Sequence, residues 1–177
     1  MKEAIKEILS TLLYLVVIFG LTFLFITFVA QRTEVSGSSM EPTLQDGDSL
    51  LVDKLSYRFR DPKRFDIVIF PYQYGDNQFF IKRVIGLPGE TIRVDYDGNI
   101  YINGEILSEN YGAEVILDPG RAETEISLKE GEFFVMGDNR NHSMDSRDLS
   151  VGNIQKKDIL GKAFVRIYPF SSFGGIK

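Results

Sequence analysis

The chain has 177 residues, with 20 basic and 25 acidic side chains and a net charge of −5. That balance excludes a protein built to neutralise nucleic-acid phosphates. It has no cysteine, and His142 is its single histidine, so disulfide frameworks, zinc-thiolate sites, cysteine nucleophiles and multi-histidine metal centres are excluded as well.

The first element in chain order is an uncharged run from Ile8 to Ala30, flanked by Glu7 and Arg32. At about 1.5 Å per residue a helix of that length reaches roughly 34 Å, enough for a bilayer core of about 30 Å. It is apolar all round, unlike a surface helix. It is also longer than the core of a cleavable signal peptide, and "FVAQR" makes a poor cleavage site. A buried core helix is the other alternative. The expectation is a single membrane anchor over residues 1–31, followed by a domain over 32–177. Lys2, Lys6 and the amino terminus against Arg32 orient the N-terminus to the cytoplasm. The domain then lies on the extracytoplasmic face of the cell membrane.

After residue 31, short runs rich in Val, Ile, Phe and Tyr alternate with turn residues. Strands are expected over 49–54, 66–70, 79–85, 91–95, 100–104, 132–138 and 161–169. "YDGN" at 96–99 is a hairpin turn between two of them. Residues 105–131 are the least regular part and read as a peripheral excursion. The fold class is mainly β: one N-terminal transmembrane helix, then an antiparallel β-sheet domain.

Three segments carry candidate chemistry. "SGSSMEPTL" at 36–44 is an ordinary loop by composition, except that Met40 and Leu44 are apolar and that it begins close to the anchor. In "FFIKRVI", alternation puts Phe80, Lys82 and Val84 on one face and Ile81, Arg83 and Ile85 on the other. Both cations are therefore candidates for burial, although long cationic side chains also snorkel or pair. A serine needs a base beside it to become a nucleophile. A lysine is that base only when desolvation lowers its pKa from about 10.4. Arg83 cannot serve, because a guanidinium does not deprotonate in proteins. "MGDNRNHSMDSRDLSVG" at 136–152 interleaves Asp138, Arg140, Asp145 and Arg147 with Asn139 and Ser143, as an ordered ion-pair cluster would. Ser143 is a natural partner for a neutral amine. His142 with Asp145 offers a competing Ser-His-Asp triad, which leaves a buried lysine without a purpose.

Taken in order, the anchor, "SGSSMEPTL", "FDIVIF", "IKRVIGLPGE" and "GDNRNHSMDSR" resemble the bacterial type I signal peptidases, in their short Gram-positive-like form. The resemblance covers nearly the whole chain. It implies a membrane-bound serine endopeptidase with a serine-lysine dyad, no cofactor and no metal, which cuts preproteins after small-x-small motifs. Its implied partners are the signal peptides of secreted preproteins, membrane lipid and the protein-export machinery, with no nucleic acid. Carried over by position, it makes Ser39 the nucleophile and Lys82 the general base. Ser143 is then the serine contacting that lysine, Asp145 and Arg147 a structural pair, Asp138 a further acid and Arg83 a supporting residue. It implies shallow pockets lined by Val35, Met40, Leu44, Ile69, Phe80 and Ile81. Some members carry an oxyanion-binding serine two residues before the nucleophile. Gly37 stands there, which leaves the hole to the Ser39 backbone N–H, with Ser38 or a water as helper. Two alternatives from other classes are a self-cleaving serine-lysine repressor, which the membrane run argues against, and an inactive membrane-anchored binding module.

Overall fold

The structure is a computed structural model and describes residues 2–28 and 30–176. Helix α1 (Lys2–Phe28) begins six residues before the apolar run. Its window Glu3–Phe23 has a mean hydropathy of 1.9 and none of it is buried, so it is not a core helix. It is long and apolar enough to cross a membrane.

Strand β1 (Ala30–Glu34) starts two residues after the helix ends. It is followed by β2 (Ser49–Asp53), β3 (Ile67–Pro71), β4 (Phe79–Gly86), β5 (Thr91–Val94) and β6 (Ile100–Ile102). Next come β7 (Glu105–Ile106), β8 (Ile126–Ser127), β9 (Glu132–Met136), β10 (Ile154–Gln155), β11 (Gly161–Tyr168) and β12 (Gly174–Gly175). The main sheet runs β1-β2-β11-β3-β4-β9-β10, with β12 on β11; the smaller one runs β7-β6-β5-β8. All pairings are antiparallel.

Strand alternation explains the core. Ile67 and Ile69 of β3 pack with Val35, Met40, Leu44 and Ile81 on one face, while Val68 and Phe70 pack with Val84, Phe133 and Val135 on the other. A third cluster joins the two sheets through Ile85, Ile92, Ile100, Ile116 and Leu128. The excursion at 105–131 is thus less peripheral than its sequence suggests. It supplies β7 and β8 to the smaller sheet and buries Ile116, Ala122 and Leu128.

Two features of register position the site. Reading across partners, Ala30 faces Asp53, Asp53 faces Lys162, Lys162 faces Val68 and Val68 faces Lys82. Lys82 therefore lies in the same cross-strand row as the residue where helix gives way to sheet, four strand spacings or about 19 Å away. On its other side, β4 pairs with β9 only from Arg83 onward, Arg83 facing Met136. The next residue of that chain, Gly137, leaves the sheet beside Lys82. Phe79 to Ile81 then have β3 on one side and no strand on the other among the described residues.

Candidate active site

The loop after β1 doubles back on itself. Val35 N–H donates to Asp48 O at 2.8 Å and Gly47 N–H donates to Val35 O at 2.9 Å. At the tip, Gly37 takes φ +91°, a left-handed conformation that favours glycine. Its N–H donates to Asp46 Oδ1 at 2.7 Å. That bond occupies the Gly37 N–H, while the N–H groups of Ser38 and Ser39 have no acceptor among the described residues. Met40 and Leu44 point into the core and fix the loop on the sheet.

Lys82 comes up from β4 and is 3% exposed. Its Nζ donates to Ser39 Oγ at 2.7 Å and to Ile81 O at 3.1 Å, and lies 4.9 Å from the centroid of the Phe80 ring. Burial pushes its pKa down from 10.5 to about 8, against the carboxylates of Asp145 and Asp138, which pull it up. Each carboxylate is itself matched to an arginine, which limits that opposing pull. Arg83, fully buried, donates through Nε to Asp138 Oδ1 at 2.8 Å and through Nη2 to Oδ2 at 2.7 Å. Its guanidinium also covers the Tyr111 ring at 3.6 Å. Arg147 grips Asp145 with Nε and Nη2, both at 2.9 Å.

The segment after β9 ties these pieces together. Gly137 N–H donates to Asp145 Oδ2 at 3.0 Å, and Gly137 O accepts from Arg140 Nε at 3.0 Å. Asn139 N–H then donates to Ser39 O at 3.1 Å, and Asn139 Nδ2 donates to Ser38 O at 3.2 Å. A Cβ on Gly137 would stand 2.2 Å from Ser143 Oγ and 2.4 Å from Ser39 O. The expected result for Gly137→Ala is therefore a displaced Ser39 loop and a loss, on the order of 100-fold, of any turnover that uses this site. Destabilisation should stay within about 1–3 kcal/mol. Steady-state kinetics beside a thermal melt checks it, and an alanine variant with unchanged kinetics refutes the close packing.

The residues singled out in the sequence fall into three groups. Ser39, Lys82, Arg83, Asp138, Asp145 and Arg147 come together as described, with Ser38 next to Ser39 in the chain. Ser143 lies beside Gly137 but does not hydrogen-bond Lys82: its Oγ is buried without a hydrogen-bond partner. The pocket set divides. Val35, Met40, Phe80 and Ile81 line a cleft of about 480 Å³ together with Ser39 and Lys82. Leu44 and Ile69 do not; they are 0% and 3% exposed in the apolar layer behind it. The triad geometry is not assembled, because His142 is exposed and the Asp145 carboxylate is taken by Arg147 and Gly137.

Sequence reasoning missed Phe79 and Met144, which line the same cleft and are 51% and 47% exposed. It also missed Asp46. Met144 did carry a signal, an apolar residue inside a polar segment, the same cue that marked Met40. No group of acidic or histidine side chains among the described residues gathers to hold a metal.

A hydroxyl 2.7 Å from a desolvated amine, both lining one cleft with Val35, Met40, Phe80 and Ile81, suits nucleophilic acyl transfer. Comparison with known proteins shows which family the chain belongs to. A family described as signal peptidase, peptidase S26, matches residues 6–168. The chain is 42% identical to a probable signal peptidase I-2 of Synechocystis over 84% of this chain and 67% of that one. It is also 42% identical to signal peptidase I V of Bacillus subtilis, over 72% and 80%. A crystal structure of a signal peptidase I from Enterococcus faecalis is 35% identical, covering 58% of this chain and 97% of that one, with a TM-score of 0.48. The family match and the two relatives place the chain among the peptidases. It belongs to the signal peptidase family, peptidase S26.

Proposed function

We propose that this peptidase removes N-terminal signal peptides from exported preproteins, cutting after small-x-small motifs with Ser39 as nucleophile and neutral Lys82 as general base. The observation that carries the reading is the 2.7 Å contact between Lys82 Nζ and Ser39 Oγ inside a desolvated pocket. Neutral Lys82 takes the Ser39 proton, and Oγ attacks the scissile carbonyl carbon. The negative charge that develops on the carbonyl oxygen falls to backbone N–H donors, chiefly that of Ser39. Collapse breaks the C–N bond, and the Lys82 ammonium gives its proton to the leaving amine. Neutral again, Lys82 takes a proton from water as that water attacks the ester, and the proton returns to Ser39 Oγ.

The substrate's extended segment adds as a strand beside Phe79 to Ile81, the stretch of β4 that has no partner on one side. Its small residues seat against Val35, Met40, Phe80 and Ile81. Helix α1 spans the bilayer once with its N-terminus in the cytoplasm, and the domain works on the far face, beside the export machinery. With strands running along the membrane normal, the shared row of Ala30 and Lys82 supports a dyad held near the level at which a signal helix leaves the membrane.

This reading fixes a pH dependence. Lys82 acts as base only when neutral, and its pKa is lowered to about 8. Turnover rises with pH through a limb centred near 8, well below 10.5. Initial rates on a preprotein across pH 6 to 11 check this, with about a tenfold fall per pH unit on the acid side. A limb centred near 10.5 contradicts the desolvated base.

A further inference from the structure

The connection between β2 and β3 stands out by charge. Residues 54–64 read "KLSYRFRDPKR": five cations and one acid in a chain whose net charge is −5. Register tells where this segment leaves the sheet. Asp53, the last residue of β2, faces Ala30, the first residue of β1. The segment therefore departs at the edge where the apolar helix joins the domain.

It is held in shape rather than loose. Asp53 Oδ1 accepts the N–H groups of Leu55 and Ser56, both at 2.9 Å. Tyr57 turns into the core, 7% exposed, and its hydroxyl donates to Asp66 Oδ2 at 2.9 Å. With Tyr57 pinned inward, Phe59 is carried outward and stands 82% exposed between Arg58 and Arg60. Arg58, Arg60 and Lys63 are all exposed and make no ion pair among the described residues. The acids nearby are engaged: Asp53 caps the turn and Asp61 pairs with Lys156. Arg64 is held by Glu90 and stays out of the patch.

A rigid loop that shows an aromatic ring between cations suits an interface where phosphates lie beside hydrocarbon. We infer that Arg58, Phe59, Arg60 and Lys63 form a second membrane contact, which docks the domain on anionic lipid headgroups with the Phe59 ring entering the interface. The inference rests on the reading of α1 as a bilayer span, since the span brings this edge to the membrane. Each cation near an anionic surface raises partition roughly fivefold, so three raise it on the order of 100-fold, and salt screens the effect. The contact holds the domain at a fixed height and tilt, which a single helix alone does not do.

The chain contains no tryptophan, so one introduced indole reports a single place. Full-length Phe59→Trp protein is reconstituted into phosphatidylcholine vesicles with or without phosphatidylglycerol, and quenching by brominated lipid is measured. Tyr14→Trp, in the middle of α1, is the parallel reporter of the span. The expected result is strong quenching of Tyr14→Trp in both vesicles. Phe59→Trp should shift to the blue and quench at least about twofold more with phosphatidylglycerol. That difference should vanish in high salt and on adding Arg58→Glu, Arg60→Glu and Lys63→Glu. An unquenched Tyr14→Trp overturns the span itself. A quenched Tyr14→Trp with an unquenched Phe59→Trp in anionic vesicles overturns the docking loop alone. Equal quenching of Phe59→Trp in both vesicles overturns the role of the cations. Binding of a polyglutamate peptide without lipid quenching reassigns the patch to an acidic protein segment.

Discussion

Replacing Lys82 with methionine is expected to abolish cleavage, by about 10⁴-fold or more, while leaving a protein more stable than the wild type at neutral pH. The two effects share one cause. Methionine keeps the length and apolar stem of the lysine, but its thioether sulfur is far too weak a base to take the Ser39 proton. The wild-type protein buries an amine whose pKa falls from 10.5 to about 8, so below pH 8 the native state carries a charge that water would hold more favourably. That cost is roughly 3 kcal/mol. Its sign with pH follows from proton counting. Between about 8 and 10.5 the unfolded chain keeps the lysine proton that the native protein has lost, so wild-type stability rises with pH across that window. The advantage of Lys82→Met is greatest below pH 8 and fades by about 10.5. Chemical denaturation of both proteins at pH 7 and pH 10 measures it. A methionine variant less stable than wild type at pH 7 contradicts a desolvated lysine.

Asp138→Ala is expected to cost about 3–5 kcal/mol of stability, the largest loss from any single change at the site. Asp138 and Arg83 are both 0% exposed. Removing the carboxylate leaves a buried guanidinium that cannot shed its proton. Thr43 Oγ1, which donates to Asp138 Oδ2 at 2.5 Å, loses its acceptor too. The melting temperature should fall by about 10 °C or more in a chain of this size. Whatever folded protein remains should be active to lower pH, because Asp138 is one of the two acids that raise the Lys82 pKa. A loss below about 1 kcal/mol, or an acid limb that moves upward, contradicts this arrangement.

Much of the fold is legible in the sequence because its strands follow one rule. Every expected strand appears within about two residues of its span, because Val, Ile and Phe runs bounded by turn residues decide the matter locally. Strand β1 was not legible. "AQRTE" has no apolar face, and it is a strand only because β2 lies beside it to pair with. Two-residue pairings such as β8 and β10 depend on neighbours in the same way. At the site, the burial of Lys82 and Arg83 follows from their apolar flanks. The direction in which Ser143 Oγ points does not, since a hydroxyl rotor is set by packing around Gly137 that no spacing reveals. Leu44 and Ile69 were placed one layer too far forward for a similar reason. Apolar residues near a nucleophile can floor a cleft or lie behind it, and only the sheet decides which.

The most direct test of the dyad is the cleavage of a purified preprotein by the wild-type protein, Ser39→Ala, Lys82→Ala and His142→Ala, with the new N-terminus of each product sequenced. The expected result is one cut after a small-x-small motif by the wild type and by His142→Ala, and no product from the folded Ser39 and Lys82 variants. Full activity in Lys82→Ala with none in His142→Ala contradicts it.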